Sequence, residues 1–204
     1  MISLDAQTIV GSLGSLAVIG VAAIIFFETA TILGSFLPGD SLLFILGLGL
    51  GTWLVGYSLP IALLLVSVAA IAGSQVGYLV GKKTGPRLFR RKDGWIFSHR
   101  TLERTEAFFA RYGARAIVMA RFVPVLRALI PMLVAMTNFD GRRFLRLNII
   151  GGLLWVNGIM TAGYLLGGVP LVKNNVEAFV IGFVVLSSLP LPIELLRERF
   201  KRSI

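Results

Sequence analysis

The chain has 204 residues, of which 56% are hydrophobic and 15% are charged, with no cysteine and one histidine. A soluble domain of this length cannot cover so much apolar surface, so the composition indicates an integral membrane protein. The lack of cysteine excludes disulfides, thiol catalysis and thiolate metal sites, and His99 alone cannot form a histidine-rich metal centre. No metal or other cofactor is therefore expected.

The first predicted element is a re-entrant hairpin at residues 8–50, which enters and leaves the membrane on the same face. Its apolar sequence is interrupted by Glu28 and by a turn signal at Pro38 and Gly39, followed by Asp40. We therefore expect two apolar arms that meet at this turn. Asp40 also stands where it can cap the second arm if that arm is helical.

A transmembrane helix is predicted at residues 58–81, and it completes a first repeat at residues 8–81. No charged side chain occurs from residue 41 to residue 81. Three glycines are spaced four residues apart along this helix, at Gly73, Gly77 and Gly81. On a helix this spacing gives one smooth face, which predicts close packing against another helix.

A basic linker is predicted at residues 82–113, because ten lysines and arginines fall between residues 82 and 115. Gly85 and Pro86 mark a turn near the start of this linker. Residues 101–112 have the pattern of an amphipathic surface helix with one apolar side.

The rest of the chain is predicted to contain a second repeat at residues 114–168 and a last transmembrane helix at 175–192. The second repeat begins with another re-entrant hairpin at 114–136, which is broken at Pro124, and continues with a transmembrane helix at 148–166. All 204 residues then belong to a single, polytopic, all-α membrane domain.

Two recurrences at one offset of 86 residues indicate that the repeats are copies of one unit. The sequence FLP at 36–38 recurs as FVP at 122–124, and GYLVG at 77–81 recurs as GYLLG at 163–167. Each copy is a proline-broken apolar segment followed by a glycine-rich helix. Broken segments in matching positions of two repeats are typical of a binding site near the membrane midplane of a transporter.

Positive charge is distributed unevenly along the chain, although the net charge is +10. Residues 1–81 contain no lysine or arginine, and most of the twenty basic residues lie in three clusters, at 82–115, 142–146 and 197–202. Such clusters beside apolar segments suit anionic lipid headgroups, so no nucleic-acid partner is expected.

The positive-inside rule places these three clusters, and with them the linker and the C-terminus, on the cytoplasmic side. The second hairpin then enters from the cytoplasm, and the first hairpin, which has no basic flank, enters from outside. Each repeat crosses the membrane once, so the two repeats are predicted to have inverted topologies. An alternative is that residues 8–27 cross the membrane fully instead of forming an arm of the first hairpin.

Four ionisable residues interrupt the two apolar hairpins: Glu28 and Asp40 in the first, Arg121 and Arg127 in the second. A charge at mid-bilayer costs roughly 2.5–3.5 kcal/mol on insertion scales, so such residues face a partner or a wet cavity. If the hairpin tips meet, two acids and two guanidinium groups gather near the midplane. One interpretation is a set of salt bridges that only locks the hairpins together.

The other interpretation is a binding site for an anion. Arginine presents a planar fork that suits bidentate phosphate binding, and broken helices point backbone N–H groups at an anion. The desolvated carboxylates are suited to carry protons. We therefore expect Arg121 and Arg127 to bind a phosphate, and Glu28 and Asp40 to exchange protons.

The sequence also resembles the DedA family of bacterial inner-membrane proteins over roughly residues 20–168. The residues that carry the resemblance are FET at 27–29, FLPGDS at 36–41, FARYG at 109–113, RFVP at 121–124, Arg127, Ala128, Asn148, Gly152 and Trp155. The resemblance implies two facing re-entrant hairpins in the cell inner membrane. It also implies that the chain returns the polyprenyl-phosphate carrier undecaprenyl phosphate across that membrane, coupled to the proton gradient.

Within the family pattern, an acidic pair and an arginine pair are needed for function, and they map to Glu28, Asp40, Arg121 and Arg127. Five residues of the same motifs are expected to support them: Pro38, Gly39, Pro124, Asn148 and Trp155. The implied partners are a polyprenyl-phosphate lipid, anionic membrane lipids and protons. Related proteins of this broad family move other phospholipids, and the oligomeric state is left open.

Three other functions are compatible with parts of the sequence. An integral polyprenyl-diphosphate phosphatase needs catalytic histidines, or clustered glutamates with a serine–arginine pair, and neither pattern is present, so we do not expect an enzyme. A small-ion or osmolyte transporter would use the same four charges. An accessory subunit would only pack against partners through its glycine faces.

Overall fold

The structure is a computed structural model that describes residues 15–88, except 32–33, 35–36, 53 and 55, and residues 113–175, except 114 and 138. Within these ranges the chain forms seven α-helices and no strand, which confirms the all-α prediction for the described residues. The helices are α1 Ser15–Ala30, α2 Gly39–Thr52, α3 Leu59–Leu88, α4 Arg115–Ala120, α5 Pro124–Val134, α6 Gly141–Gly167 and α7 Pro170–Asn174.

The first predicted break lies between α1 and α2. Helix α1 ends at Ala30, and α2 begins at Gly39, directly after Pro38, whose carbonyl accepts the first helical hydrogen bond from the N–H of Leu42 at 3.0 Å. Asp40 lies in the first turn of α2, where a carboxylate interacts favourably with the helix dipole. Apolar helices therefore precede and follow Pro38, and the re-entrant hairpin they would form stays a prediction.

The second predicted break lies between α4 and α5. Helix α4 closes with tight turns, in which the N–H groups of Arg121, Phe122 and Val123 each donate to a carbonyl three residues earlier at 3.1–3.2 Å. Val123 is extended, and Pro124 starts α5, where its missing N–H costs nothing. The break therefore places Arg121 on the turn before α5.

Helices α3 and α6 are long and apolar enough to cross a membrane, over Leu59–Thr84 and Gly141–Gly167 respectively. These two segments contain the predicted transmembrane helices at 58–81 and 148–166, apart from Ser58. Lipid-facing side chains are expected on such helices, and large hydrophobic residues are exposed along both.

Each long helix continues beyond its predicted transmembrane span on the basic side, and the limits of the spans stay predictions. Helix α3 continues through the predicted turn at Gly85 and Pro86 to Leu88, because a proline so close to a helix end disturbs few helical hydrogen bonds. Helix α6 begins seven residues before 148. Asp140 accepts hydrogen bonds from the N–H groups of Arg142 and Arg143 at 3.2 Å and caps the helix there.

Several sequence predictions fall on residues outside the described ranges. They are residues 8–14 of the first arm, the amphipathic helix at 101–112 and the last transmembrane helix beyond residue 175. These segments stay predictions.

The described helices divide into two compact units. Unit 1 contains residues 15–17, 38–59 and 159–175, and unit 2 contains residues 18–37 and 60–158. Asp40 belongs to unit 1, whereas Glu28 and the two arginines of the second hairpin belong to unit 2.

In unit 1, α2 and α6 pack through glycines on both helices. A methyl group added at Gly51 would lie 2.8 Å from the carbonyl oxygen of Tyr164, and one added at Gly167 would lie 3.0 Å from that of Leu48. Gly163 is closer still to the backbone of α2, at the carbonyl oxygen of Phe44. Such contacts require small residues, because only they let two helix backbones approach so closely.

In unit 2, the predicted glycine face of α3 is confirmed as a packing surface. Gly73 and Gly77 lie against the C-terminal end of α1, and a methyl added at Gly81 would lie 2.6 Å from the Cα of Met132 in α5. Tyr78, on the same helix, stacks on Phe144 of α6 with ring centroids 4.6 Å apart. Together these contacts hold α1, α3, α5 and α6 around the second break.

Candidate functional site

The site is built around Arg127, which lies in the first turn of α5, directly after the second break. Its side chain is 2% exposed, and its Nη2 donates to Oε1 of Glu28, a fully buried residue of α1, in an ion pair. The structure thus brings together one acid of the first predicted hairpin and one arginine of the second. A buried ion pair of this kind is costly to form and very costly to break from one side.

Trp155 of α6 supports the guanidinium group of Arg127. The Cζ atom of Arg127 lies 4.6 Å from the centroid of the Trp155 ring, and Trp155 is buried. A flat guanidinium over an aromatic face gains a cation–π interaction, which also limits the directions in which the fork can point.

Arg121 lies on the turn at the end of α4 and is also buried. Its Nη1 donates to the carbonyl oxygen of Ala70 in α3 at 3.4 Å, while Nη2 has no hydrogen-bond partner among the described residues. Helix α6 makes room for this side chain at two glycines. A methyl added at Gly151 would lie 3.0 Å from Cγ of Arg121, and one added at Gly152 would lie 3.4 Å from Nη1.

Both arginines line one small cavity in unit 2. The rest of its wall is formed by Ser74 of α3 and by apolar residues of α4, α5 and α6, namely Ile117, Ala120, Ile130, Pro131 and Phe144. Because Arg127 is paired with Glu28, the two guanidinium groups and this carboxylate leave one net positive charge at a largely apolar cavity.

Asn148 fastens α6 to α3 beside this cavity. It is buried, and its Nδ2 donates to the carbonyl oxygen of Ile71 at 3.1 Å, next to the carbonyl of Ala70 that Arg121 uses. Its location fits the supporting role that the sequence predicts for it.

Among the described residues, no group of three histidine, cysteine or acidic side chains is close enough to hold a metal ion.

The remaining predicted site residues have different placements. Pro124 starts α5 and so sets the position of Arg127. Pro38, Gly39 and Asp40 lie in unit 1 at the start of α2, where Asp40 is partly buried. Contact between Asp40 and the arginines stays a prediction.

Sequence reasoning did not single out Ser74, which the structure places in the cavity wall. The available signal was weak: Ser67, Ser74 and Gln75 are polar residues in the middle of an otherwise apolar, charge-free helix. Serine and glutamine are common enough in such helices that they do not identify a site without its tertiary contacts.

Comparison with known proteins gives consistent matches over most of the chain. Residues 9–165 match the VTT domain. The chain is 36% identical over 176 residues to Protein DedA of Escherichia coli K12, covering 86% of this chain and 80% of that protein. It is 37% identical over 172 residues to an uncharacterized membrane protein of Mycobacterium leprae, covering 82% of this chain and 74% of that protein.

A third relative is the inner membrane protein YqjA of Escherichia coli K12. It is 35% identical over 150 residues, which cover 72% of this chain and 66% of that protein. No solved structure matches the chain.

Proposed function

This chain belongs to the DedA family of membrane proteins, and from that membership and the site geometry we propose that it is a transporter of an anionic lipid. Its cargo is undecaprenyl phosphate or a similar lipid carrier, which it returns across the inner membrane in exchange with, or together with, protons. Arg121 and Arg127 bind the phosphate, and Glu28 and Asp40 carry the protons.

An excess of buried positive charge beside the cavity is the observation that supports this function most directly. Among the described residues, the charged side chains that are buried are Glu28, Arg121 and Arg127. Arg127 is paired with Glu28, whereas Arg121 contacts a backbone carbonyl. A charge away from water is costly unless an opposite charge meets it, and a phosphate in the cavity supplies that charge.

A lipid cargo requires only a small polar passage through the protein. The polyprenyl chain can stay in the hydrocarbon of the bilayer while only the phosphate group passes through the protein. The cavity described above has room for about one water molecule, so the surrounding helices must separate to admit the phosphate group, as alternating access requires.

Proton coupling follows from competition for Arg127. A phosphate that binds Arg127 takes the ion-pair partner of Glu28. A buried carboxylate that loses its partner is costly until it takes up a proton, so anion binding and proton uptake favour each other. Asp40 holds the proton at another stage of the cycle.

Alternating access through inverted repeats is part of the proposal, and the glycine contacts support it. Gly81 of the first repeat packs on Met132 of the second, and Gly167 of the second repeat packs on Leu48 of the first. At the offset of 86 residues Gly81 corresponds to Gly167, and Met132 corresponds to a position two residues before Leu48. If two repeats are related by a pseudo-twofold axis, a contact from the first repeat to the second is expected to have a counterpart from the second to the first.

The direct test is the rate at which labelled undecaprenyl phosphate changes leaflet in proteoliposomes, measured with and without a pH gradient. Lysine at both Arg121 and Arg127 keeps the charge but removes the bidentate fork, so we expect transport to slow by about tenfold or more. The matched control is lysine at both Arg115 and Arg146, which are exposed and should tolerate it.

Transport at the wild-type rate in the Arg121→Lys/Arg127→Lys variant would contradict phosphate binding by the arginine forks. Release of inorganic phosphate from the lipid by purified protein would instead identify an enzyme. Inhibition by soluble anions or osmolytes, without competition from lipid phosphates, would identify a small-solute transporter.

A further inference from the structure

The hydroxyl group of Ser74 lies at the cavity and has no hydrogen-bond partner among the described residues. Its side chain is 1% exposed and lines the cavity with the two arginines. A buried hydroxyl group without a partner is costly, so such a group is normally met by water or by a ligand.

Several other helical hydroxyl groups of the described residues donate to a backbone carbonyl of their own helix. Thr29, Thr52 and Thr84 each donate to the carbonyl oxygen four residues earlier, at 2.7–2.9 Å. The carbonyl four residues before Ser74 is that of Ala70, and Arg121 already donates to it. The hydroxyl of Ser74 makes no such bond among the described residues, and it lies at the cavity that Arg121 and Arg127 line.

We propose that Ser74 is a third ligand of the phosphate group, which it binds through its hydroxyl beside the two guanidinium groups. A phosphate monoester has three terminal oxygens, enough to accept from Arg121, Arg127 and Ser74 together. This inference rests on the proposed function, because it names a further residue of the same site.

The experiment measures binding of undecaprenyl phosphate to the full chain in nanodiscs. We expect Ser74→Ala to weaken binding by about tenfold, as expected for the loss of a hydrogen bond to a charged group. Ser74→Thr keeps the hydroxyl and should bind within about threefold of the wild type, because a hydrogen bond of the same kind is retained.

Ser67 provides a matched control. It lies seven residues earlier on the same face of α3, is 2% exposed and also has no partner for its Oγ among the described residues, but it does not line the cavity. Ser67→Ala should leave binding unchanged. An equal loss in Ser67→Ala and Ser74→Ala would show that the effect comes from helix packing, and it would overturn the inference.

A second measurement distinguishes free inorganic phosphate from a phosphate group carried by a lipid. Inorganic phosphate is added at increasing concentration to wild type and to Ser74→Ala. Displacement of the lipid by inorganic phosphate identifies the phosphate alone as the ligand, and lack of displacement identifies the lipid-borne monoester. The inference holds in either case only if Ser74→Ala is the weaker binder.

The two proposals can fail separately. If Arg121→Ala loses binding and Ser74→Ala binds like the wild type, the inference about Ser74 is wrong and the proposed function stands. If the wild type binds undecaprenyl phosphate no better than the uncharged alcohol undecaprenol, the proposed function is wrong and the inference falls with it.

Discussion

Among the described residues, unit 1 and unit 2 both pack helices through glycines, whereas the buried charges lie in unit 2. In unit 1, α2 and α6 meet through glycines, so that backbone packs on backbone. In unit 2, α1, α3, α5 and α6 pack around two buried arginines and a buried glutamate. Contact between backbones depends on the absence of side chains, whereas the charged cavity depends on which side chains are present. Substitutions at the packing glycines should therefore change stability alone, whereas substitutions at the buried charges of unit 2 should change both stability and ligand binding.

The largest effect is expected from removing one side of the ion pair in unit 2. Arg127→Met leaves Glu28 buried without this partner, which typically costs about 3–5 kcal/mol of stability. The double variant Glu28→Leu/Arg127→Met removes both charges and should recover most of that loss. The free energy of unfolding in mixed micelles measures both changes.

Transport by the variant Glu28→Leu/Arg127→Met shows whether the ion pair only stabilises helix packing or also belongs to a binding site. If the pair only locks the helices, the double variant should transport lipid phosphate once its stability is recovered. We expect it to stay inactive, because the proposed site needs the fork of Arg127 and the carboxylate of Glu28. Active transport in the stable double variant would count against the site.

A smaller effect is expected in unit 1 from Gly163→Ala. An added methyl group would meet the backbone of Phe44, and overpacking of this kind typically costs about 1–3 kcal/mol. Gly158→Ala is the control on the same helix, since an added methyl group there meets nothing within 4 Å. Because alanine is a better helix former than glycine, this control should stabilise by up to about 1 kcal/mol.

Opposite signs for the two alanine variants would support the close packing of α2 on α6. Equal changes in the melting temperature would contradict it. Neither variant should change the affinity for undecaprenyl phosphate, because neither glycine lies at the cavity of unit 2.

The sequence was most informative where a residue type was out of place. Glu28, Arg121 and Arg127 stand out because they are charges in apolar segments, and Pro38 and Pro124 stand out because they break helices. All five have the expected local effect in the structure, since both prolines directly precede or begin a helix and the three charges are buried. Local rules predict such features without knowledge of the fold.

Tertiary contacts were beyond the reach of the sequence. No local pattern states that Glu28 pairs with Arg127, ninety-nine residues away, or that Arg121 donates to the carbonyl of Ala70. The sequence also did not predict how far α6 continues beyond its span, because arginines 142, 143 and 146 were interpreted as a flank of that span. In the structure Asp140 caps the helix before them.

After the changes at Arg127 and Gly163, the next largest effect is expected from substitutions at Trp155. Trp155→Phe keeps an aromatic face under Arg127, whereas Trp155→Leu removes it. The cation–π interaction of a desolvated pair contributes up to about 2 kcal/mol, so the leucine variant should bind undecaprenyl phosphate several-fold more weakly than the phenylalanine variant. Binding in nanodiscs measures the difference. Equal affinities of the two variants would show that the ring only fills space.

The smallest effect is expected at Asp140, which belongs to unit 2 but caps the exposed start of α6. Asp140→Ala removes the acceptors of the N–H groups of Arg142 and Arg143, and loss of such a cap typically costs about 1 kcal/mol. Asp140→Asn keeps a capping oxygen and should cost only a few tenths of that amount. Because Asp140 does not line the cavity, both variants should bind and transport lipid phosphate like the wild type. A transport defect in Asp140→Ala that Asp140→Asn does not share would mean that the start of α6 must stay helical for the site to work, and the cavity would then depend on more of unit 2 than its lining residues.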